Sequence, residues 1–128
     1  MSALVRSFEE ALRRASATEL GRRALAGHDE DYQFDVSGEP TFHVSIEGGA
    51  LAFEDGPSPQ REPLSLTRLE LSAATLRGIV AGEISPVQAM ERGEMFLRTR
   101  LYGGGQMTVL MRAAYELARQ QRLESGRA

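Results

Sequence analysis

TLRGIVAGEISPVQAMERGE, residues 75–94, is the stretch on which the fold turns. It reads as two short helices, each closed by a glycine. Ser72 can cap the first, which runs to about Ala81 with Leu76, Ile79 and Val80 on one face and Gly82 as its stop. Ser85 is a strong cap for the second: Pro86 takes the first helical position, Gln88 completes a capping box, and Gly93 ends the helix. The second helix is expected to bury Val87, Ala89 and Met90. These twenty residues contain no obvious catalytic group. Short apolar helices with glycine ends suit segments that must turn sharply across a sheet.

Upstream, the apolar period is two. Tyr32, Phe34 and Val36 alternate with Gln33 and Asp35, Phe42, Val44 and Ile46 with His43 and Ser45, and Leu51 and Phe53 with Ala52 and Glu54. The turns SGEP and EGG join these runs into three strands of an antiparallel meander. DGPSPQREP is a loop on composition. A fourth strand over 64–71 carries Leu64, Leu66, Leu69 and Leu71, and its phase slips between Leu66 and Leu69, which predicts a bulge or a late start. Ahead of the meander, residues 2–26 read as one helix with Leu4, Phe8, Ala11, Leu12 and Ala15 at helical spacing. Ser7 and Glu10 offer a capping box that would start it near Phe8, Thr18 and Gly21 weaken its middle, and Gly27 stops it.

Downstream, Met95, Leu97 and Leu101 suggest a fifth strand, and GGG at 103–105 a flexible joint. From Gln106 to about Leu123, Met107, Leu110, Met111, Ala114, Leu117 and Ala118 step by three and four, the cleanest helical pattern in the chain. Clustered strands with helices at both ends predict an α+β domain over 1–128: a mostly antiparallel five-stranded sheet with helices packed on one face.

Composition excludes several functions. The chain has 128 residues, no cysteine, and fifteen basic residues that are all arginine. Thiolate chemistry, disulfides, Schiff-base lysines and lysine-dependent phosphate loops are therefore absent. A net charge of −3 with interspersed acids and arginines makes no basic face for nucleic acid. No apolar run is long enough to span a membrane, and MSALVRSFEEALRR lacks the apolar core of a secretory signal. LESGRA is no peroxisomal or ER address. A cytoplasmic, bacterial protein is the expectation.

Candidate reactive groups are few. His28 with Asp29, Glu30 and Asp31 lacks the ladder of a calcium loop and reads as a solvated connector, so no metal is expected. His43 has Ser45 on the same strand face but no orienting acid, and it is expected to face solvent or a helix edge. The glycine joint has no lysine or hydroxyl residue at the spacing a phosphate cradle needs.

The segment 75–94, following the meander FHVSIEGGALAFEDG, resembles the sterol carrier protein type 2 family of lipid-binding domains. The resemblance rests on Leu76, Ile79, Gly82, Pro86, Ala89 and Gly93, in that order and spacing, and covers roughly residues 32–117. It implies a single lipid-binding domain in which the sheet and helices enclose an apolar tunnel. The ligand is a fatty acyl, sterol-like or isoprenoid lipid, bound and transferred without catalysis and without a cofactor. The implied lining is Phe34, Phe42, Val44, Leu76, Ile79, Val80, Met90, Met95, Leu97, Met107, Leu110, Met111 and Ala114. Methionines suit a wall that re-packs around variable ligands, though the same residues also build an ordinary core. Arg98 and Arg100 would share one face of the fifth strand, where a guanidinium can fork onto a head group if that face borders the tunnel mouth, or lie on a solvated sheet face.

Three other readings fit the same residues. One is an accessory protein that presents a hydrophobic intermediate, such as a quinone precursor, to biosynthetic enzymes. Another is a small enzyme acting on a bound polyketide or steroid, with His43 or Tyr115 as acid–base group. The third is an interaction domain whose last helix is a dimer face. The chain is compatible with a monomer or homodimer and with transient membrane contact.

Overall fold

The computed structural model describes residues 1–27, 29–60, 66–98 and 105–126. Ten elements follow one another: α1 (Ala3–Ser16), α2 (Glu19–Leu25), β1 (Glu30–Ser37), β2 (Phe42–Glu47), β3 (Ala50–Asp55), β4 (Leu66–Ser72), α3 (Ala73–Val80), α4 (Pro86–Glu91), β5 (Met95–Arg98) and α5 (Gly105–Ser125). His28, Leu64, Arg100, Leu101, Gly103 and Gly104 lie outside the described residues.

The strands form one sheet in the order β3-β2-β1-β4-β5. β1 pairs antiparallel with β2 and parallel with β4, and the other two pairings are antiparallel. The sheet is thus mostly antiparallel, as expected, but β1 is its central strand and the meander continues by a crossover. That pairing also settles the phase of β4. Its register with β1 runs without a slip from Asp31↔Leu66 to Ser37↔Ser72, so there is no bulge. Thr67, Leu69 and Leu71 are the buried residues, and Leu66 is only half-buried. Thr67 can face the core because its hydroxyl donates to the buried Glu30 carboxylate at 2.7 Å.

Inward-facing residues of β1 and β2, namely Tyr32, Phe34, Val36, Phe42, Val44 and Ile46, alternate with polar neighbours and are fully or nearly fully buried. Phe34 and Phe42 stack with centroids 5.0 Å apart, and Phe8 of α1 meets their edges at 5.1 and 6.2 Å. This aromatic cluster is the seat on which α1 docks. Val5, Leu12 and Ala15 extend the contact along the helix.

The N-terminal segment is two helices rather than one. α1 starts at Ala3, earlier than the Ser7–Glu10 pattern suggests, because Ser2 caps it by accepting from the Val5 amide at 3.2 Å. Thr18 then caps α2 through the Gly21 amide at 3.0 Å. The turn brings Gly21 so close to α1 that an added Cβ would lie 1.9 Å from the Ala15 carbonyl oxygen. Thr18 and Gly21 therefore mark a corner.

α3 and α4 follow the sequence reading closely. Ser72 accepts from the Thr75 amide, and the Ser85–Gln88 capping box is closed in both directions at 3.1 and 3.0 Å. Gly82 and Gly93 adopt φ of +74° and +69°, the left-handed region that ends a helix at glycine. Val87, however, is exposed. The six-residue α4 turns Pro86 and Ala89 inward, one helical turn apart, which leaves Val87 on the outer side and Met90 half-buried. α5 lies over α1 to α4, burying Met107, Leu110, Met111, Ala113 and Ala114, and beyond Ala118 it is exposed.

The second face of the sheet is polar and strapped. Residues leaving β3 cross over β1 and β2, where the Ser58 amide donates to Gln33 and its hydroxyl to Asp31. His43 sits beneath this strap and is buried, contrary to the expectation of solvent or a helix edge. Its Nδ1 lies 2.9 Å from the Gly56 carbonyl, so that nitrogen carries the hydrogen and donates.

Candidate functional site

The residues that the sequence marks for an apolar lining come from six elements, and the fold gathers all of them into one cluster. Phe34, Phe42, Val44, Leu76, Ile79, Met95, Met107, Leu110, Met111 and Ala114 are buried, while Val80, Met90 and Leu97 are half-buried against them. The sheet supplies the floor, α1 and α3 the sides and α5 the cover. The buried side chains pack against one another, and Phe42 also lines a peripheral cavity.

That cavity, about 660 Å³ and half-open, lies between the start of α1, the start of β2 and the end of β3. Val5 and Phe42 form its buried floor; Met1, Pro40 and Pro57 wall it, and Ser2, Thr41 and Asp55 complete it. The backbone around it is fixed. Ser2 is engaged as the α1 cap, the Gly56 amide donates to the Thr41 carbonyl at 2.9 Å, and the Gly56 carbonyl accepts from His43. Asp55 is mostly exposed at the rim, 3.9 Å from the terminal amino group. Six of these positions, Met1, Ser2, Pro40, Thr41, Gly56 and Pro57, come from turns and the chain end, which follow no period, so sequence pattern could not assemble them. Val5 had a signal, three residues before Phe8 on α1.

Glu30 and Thr67 bring buried polar groups to the sheet side of the core, beside Tyr32. Burial, helped by the hydrogen bond and the charge of Glu30, pushes the Tyr32 phenol far above its usual value, with the Met107 amide acting weakly the other way. The phenol is therefore neutral throughout the physiological range. Its hydroxyl is not in full hydrogen-bond geometry with either neighbour.

The candidates for chemistry are not brought together. His43 lies under the strap, with Nε2 3.6 Å from the Glu54 carboxylate, whereas Tyr115 lines a polar depression with Gly82, Arg119 and Arg122 between α5 and the α3–α4 turn. Arg98 points to the solvated outer face and is held by Glu70 at 2.6 Å, away from the apolar cluster. Among the described residues, no three His, Asp or Glu side chains are placed to hold a metal, and no helix is long and apolar enough to cross a membrane.

The architecture is thus an α+β domain with helices on one face of a mostly antiparallel five-stranded sheet, and it has known counterparts. No protein-family model and no curated sequence matches the chain. Solved structures do. The sterol carrier protein domain 2 of Helicoverpa armigera superposes with a TM-score of 0.64 at 12% identity over 84% of each chain. A palmitated SCP2L2 from Aedes aegypti gives 0.58 at 13% identity, over 87% of this chain and 95% of that one. The stereoselective inverting sec-alkylsulfatase Pisa1 from Pseudomonas sp. gives 0.54 at 17% identity over 70% of this chain, which spans 13% of the sulfatase's length. The chain has the sterol carrier protein 2 fold.

Proposed function

We propose that the protein binds a hydrophobic ligand reversibly and carries it without transforming it, as a carrier in the cytoplasm. The observation that bears most weight is the fold, shared over 84% of both chains with a sterol carrier protein domain, and one neighbour of the same architecture was solved in palmitated form. The gathered apolar side chains and the half-open cavity beside them supply the physical basis. A twelve-carbon chain leaving water gains roughly 9–10 kcal/mol, at about 0.8 kcal/mol per methylene, before ordering costs. A carrier needs an apolar wall and no reactive group, which agrees with the separation of His43 from Tyr115. The bound molecule is a fatty acyl, sterol-like or isoprenoid lipid, held by apolar side chains of this domain.

Mass spectrometry of lipid extracted from natively purified protein, followed by displacement of fluorescent fatty acid and sterol probes, tests this reading. A bound lipid that either probe displaces supports it. Protein that is empty and ignores both probes refutes it.

A further inference from the structure

We infer that the cavity between α1, β2 and β3 is the seat of an alkyl chain whose polar end stays in water. This rests on the carrier reading and adds to it the site and the orientation of the ligand. Its volume, about 660 Å³, falls within the ~300–1,000 Å³ of small-molecule sites and is several times the ~150 Å³ that holds benzene in an apolar protein cavity. The floor is Val5 and Phe42, buried members of the core, and three of the remaining wall positions are Met1, Pro40 and Pro57.

The polar groups of the lining are engaged within the protein or stand at its rim. Ser2 is committed to the Val5 amide, and the Thr41 hydroxyl donates to Asp35 at 3.3 Å. Asp55 stands at the exposed rim and faces the terminal amino group. A ligand with its polar end inside would leave that end unsatisfied, whereas a hydrocarbon tail loses nothing. The same wall is narrow in chemistry but open in shape, since two exposed prolines form its lip. No residue of α5 lines this cavity, so a tail can enter at Val5 and Phe42 without displacing that helix.

A titration of isotopically labelled protein with 1-octanol, 1-decanol and 1-dodecanol, and with stearate carrying a nitroxide near its methyl end, tests the site by NMR. Expected are affinities that rise up to about fourfold per added methylene, and nitroxide broadening centred on Val5, Phe42 and Gly56. Pro57→Trp, at an exposed lip position, should weaken alkanol binding at least tenfold with an unchanged melting temperature. Broadening centred on Leu76, Met107 and Met111, or a Pro57→Trp variant that binds normally, overturns this site while leaving the carrier reading intact. Failure of every alkanol and of the labelled stearate to bind overturns the site, and with the lipid extraction empty as well, the carrier reading too.

Discussion

Replacing Gly82 by alanine isolates what holds the two short helices against α5. Gly82 has φ +74°, and an alanine held there costs about 1–2 kcal/mol. The stiffer unfolded chain returns about 0.4–1 kcal/mol. The decisive contribution is steric: the new methyl would lie 2.4 Å from the Arg119 amide nitrogen and 2.7 Å from the Ala118 carbonyl carbon. Both atoms belong to helix backbone, which cannot swing aside as a flexible side chain can, so overpacking adds about 1–3 kcal/mol. The net loss is roughly 2–4 kcal/mol. Gly93 is the internal control, with φ +69° and no atom within 4 Å of an added Cβ. There only the conformational cost applies, about 1 kcal/mol or less after the unfolded-state gain. Urea unfolding followed by circular dichroism should lower the midpoint by about 1–2 M for Gly82→Ala and by about 0.5 M for Gly93→Ala, taking a slope of roughly 2 kcal/mol/M. Equal shifts would mean that α5 does not press on the α3–α4 turn, and the packing described here would be wrong.

Other outcomes follow from the same contacts. Phe8→Ala removes the ring that meets Phe34 and Phe42 and should destabilise by about 3–5 kcal/mol in chemical unfolding; a loss under 1 kcal/mol would show that α1 is not seated on the aromatic cluster. Thr67→Val deletes a buried donor to Glu30 and should lose about 1–3 kcal/mol despite its similar shape, a result contradicted by a neutral or more stable variant. Ser85→Ala removes the hydroxyl that accepts from the Gln88 amide, leaves the residue-85 amide donating to Gln88, and should lose about 1 kcal/mol, read from the same melts, with faster amide exchange confined to the start of α4. Exchange that rises across the sheet instead would contradict a local role.

The legible parts of this chain are those encoded locally. Ser85, Pro86 and Gln88 specify the start of α4 within four residues, and Gly82 and Gly93 specify the ends of α3 and α4, so the sequence reading and the structure agree there. The alternation of β1 and β2 likewise declared which residues face inward. What was not legible depends on distant partners. The parallel pairing of β1 with β4 joins residues some 35 apart, and without it Leu66 looked like a core residue and Thr67 did not. Thr18 followed by Gly21 lacks the acid of a capping box, so the corner between α1 and α2 carried only a weak mark. His43 was misplaced because its cover, the strap through Gly56 and Ser58, comes from a loop that composition describes only as a loop. For the candidate site, periodicity identified side chains that leave water and could not say whether they meet one another or a ligand. The peripheral cavity mixes Val5, Pro40, Phe42 and Pro57, which no single periodic segment contains.

The central position of β1 has a consequence for how the chain comes to life. As it leaves the ribosome, the three-stranded hairpin unit follows α1 and α2, and one whole flank of Glu30–Ser37 stays without its backbone partner until Leu66–Ser72 has been synthesised. In that interval the nascent protein presents a raw, hydrophobic strand border of the kind on which aggregates are templated. A fragment ending near residue 60 should accordingly be insoluble or held by chaperones, and production of the intact protein should depend on how quickly the ribosome clears the crossover.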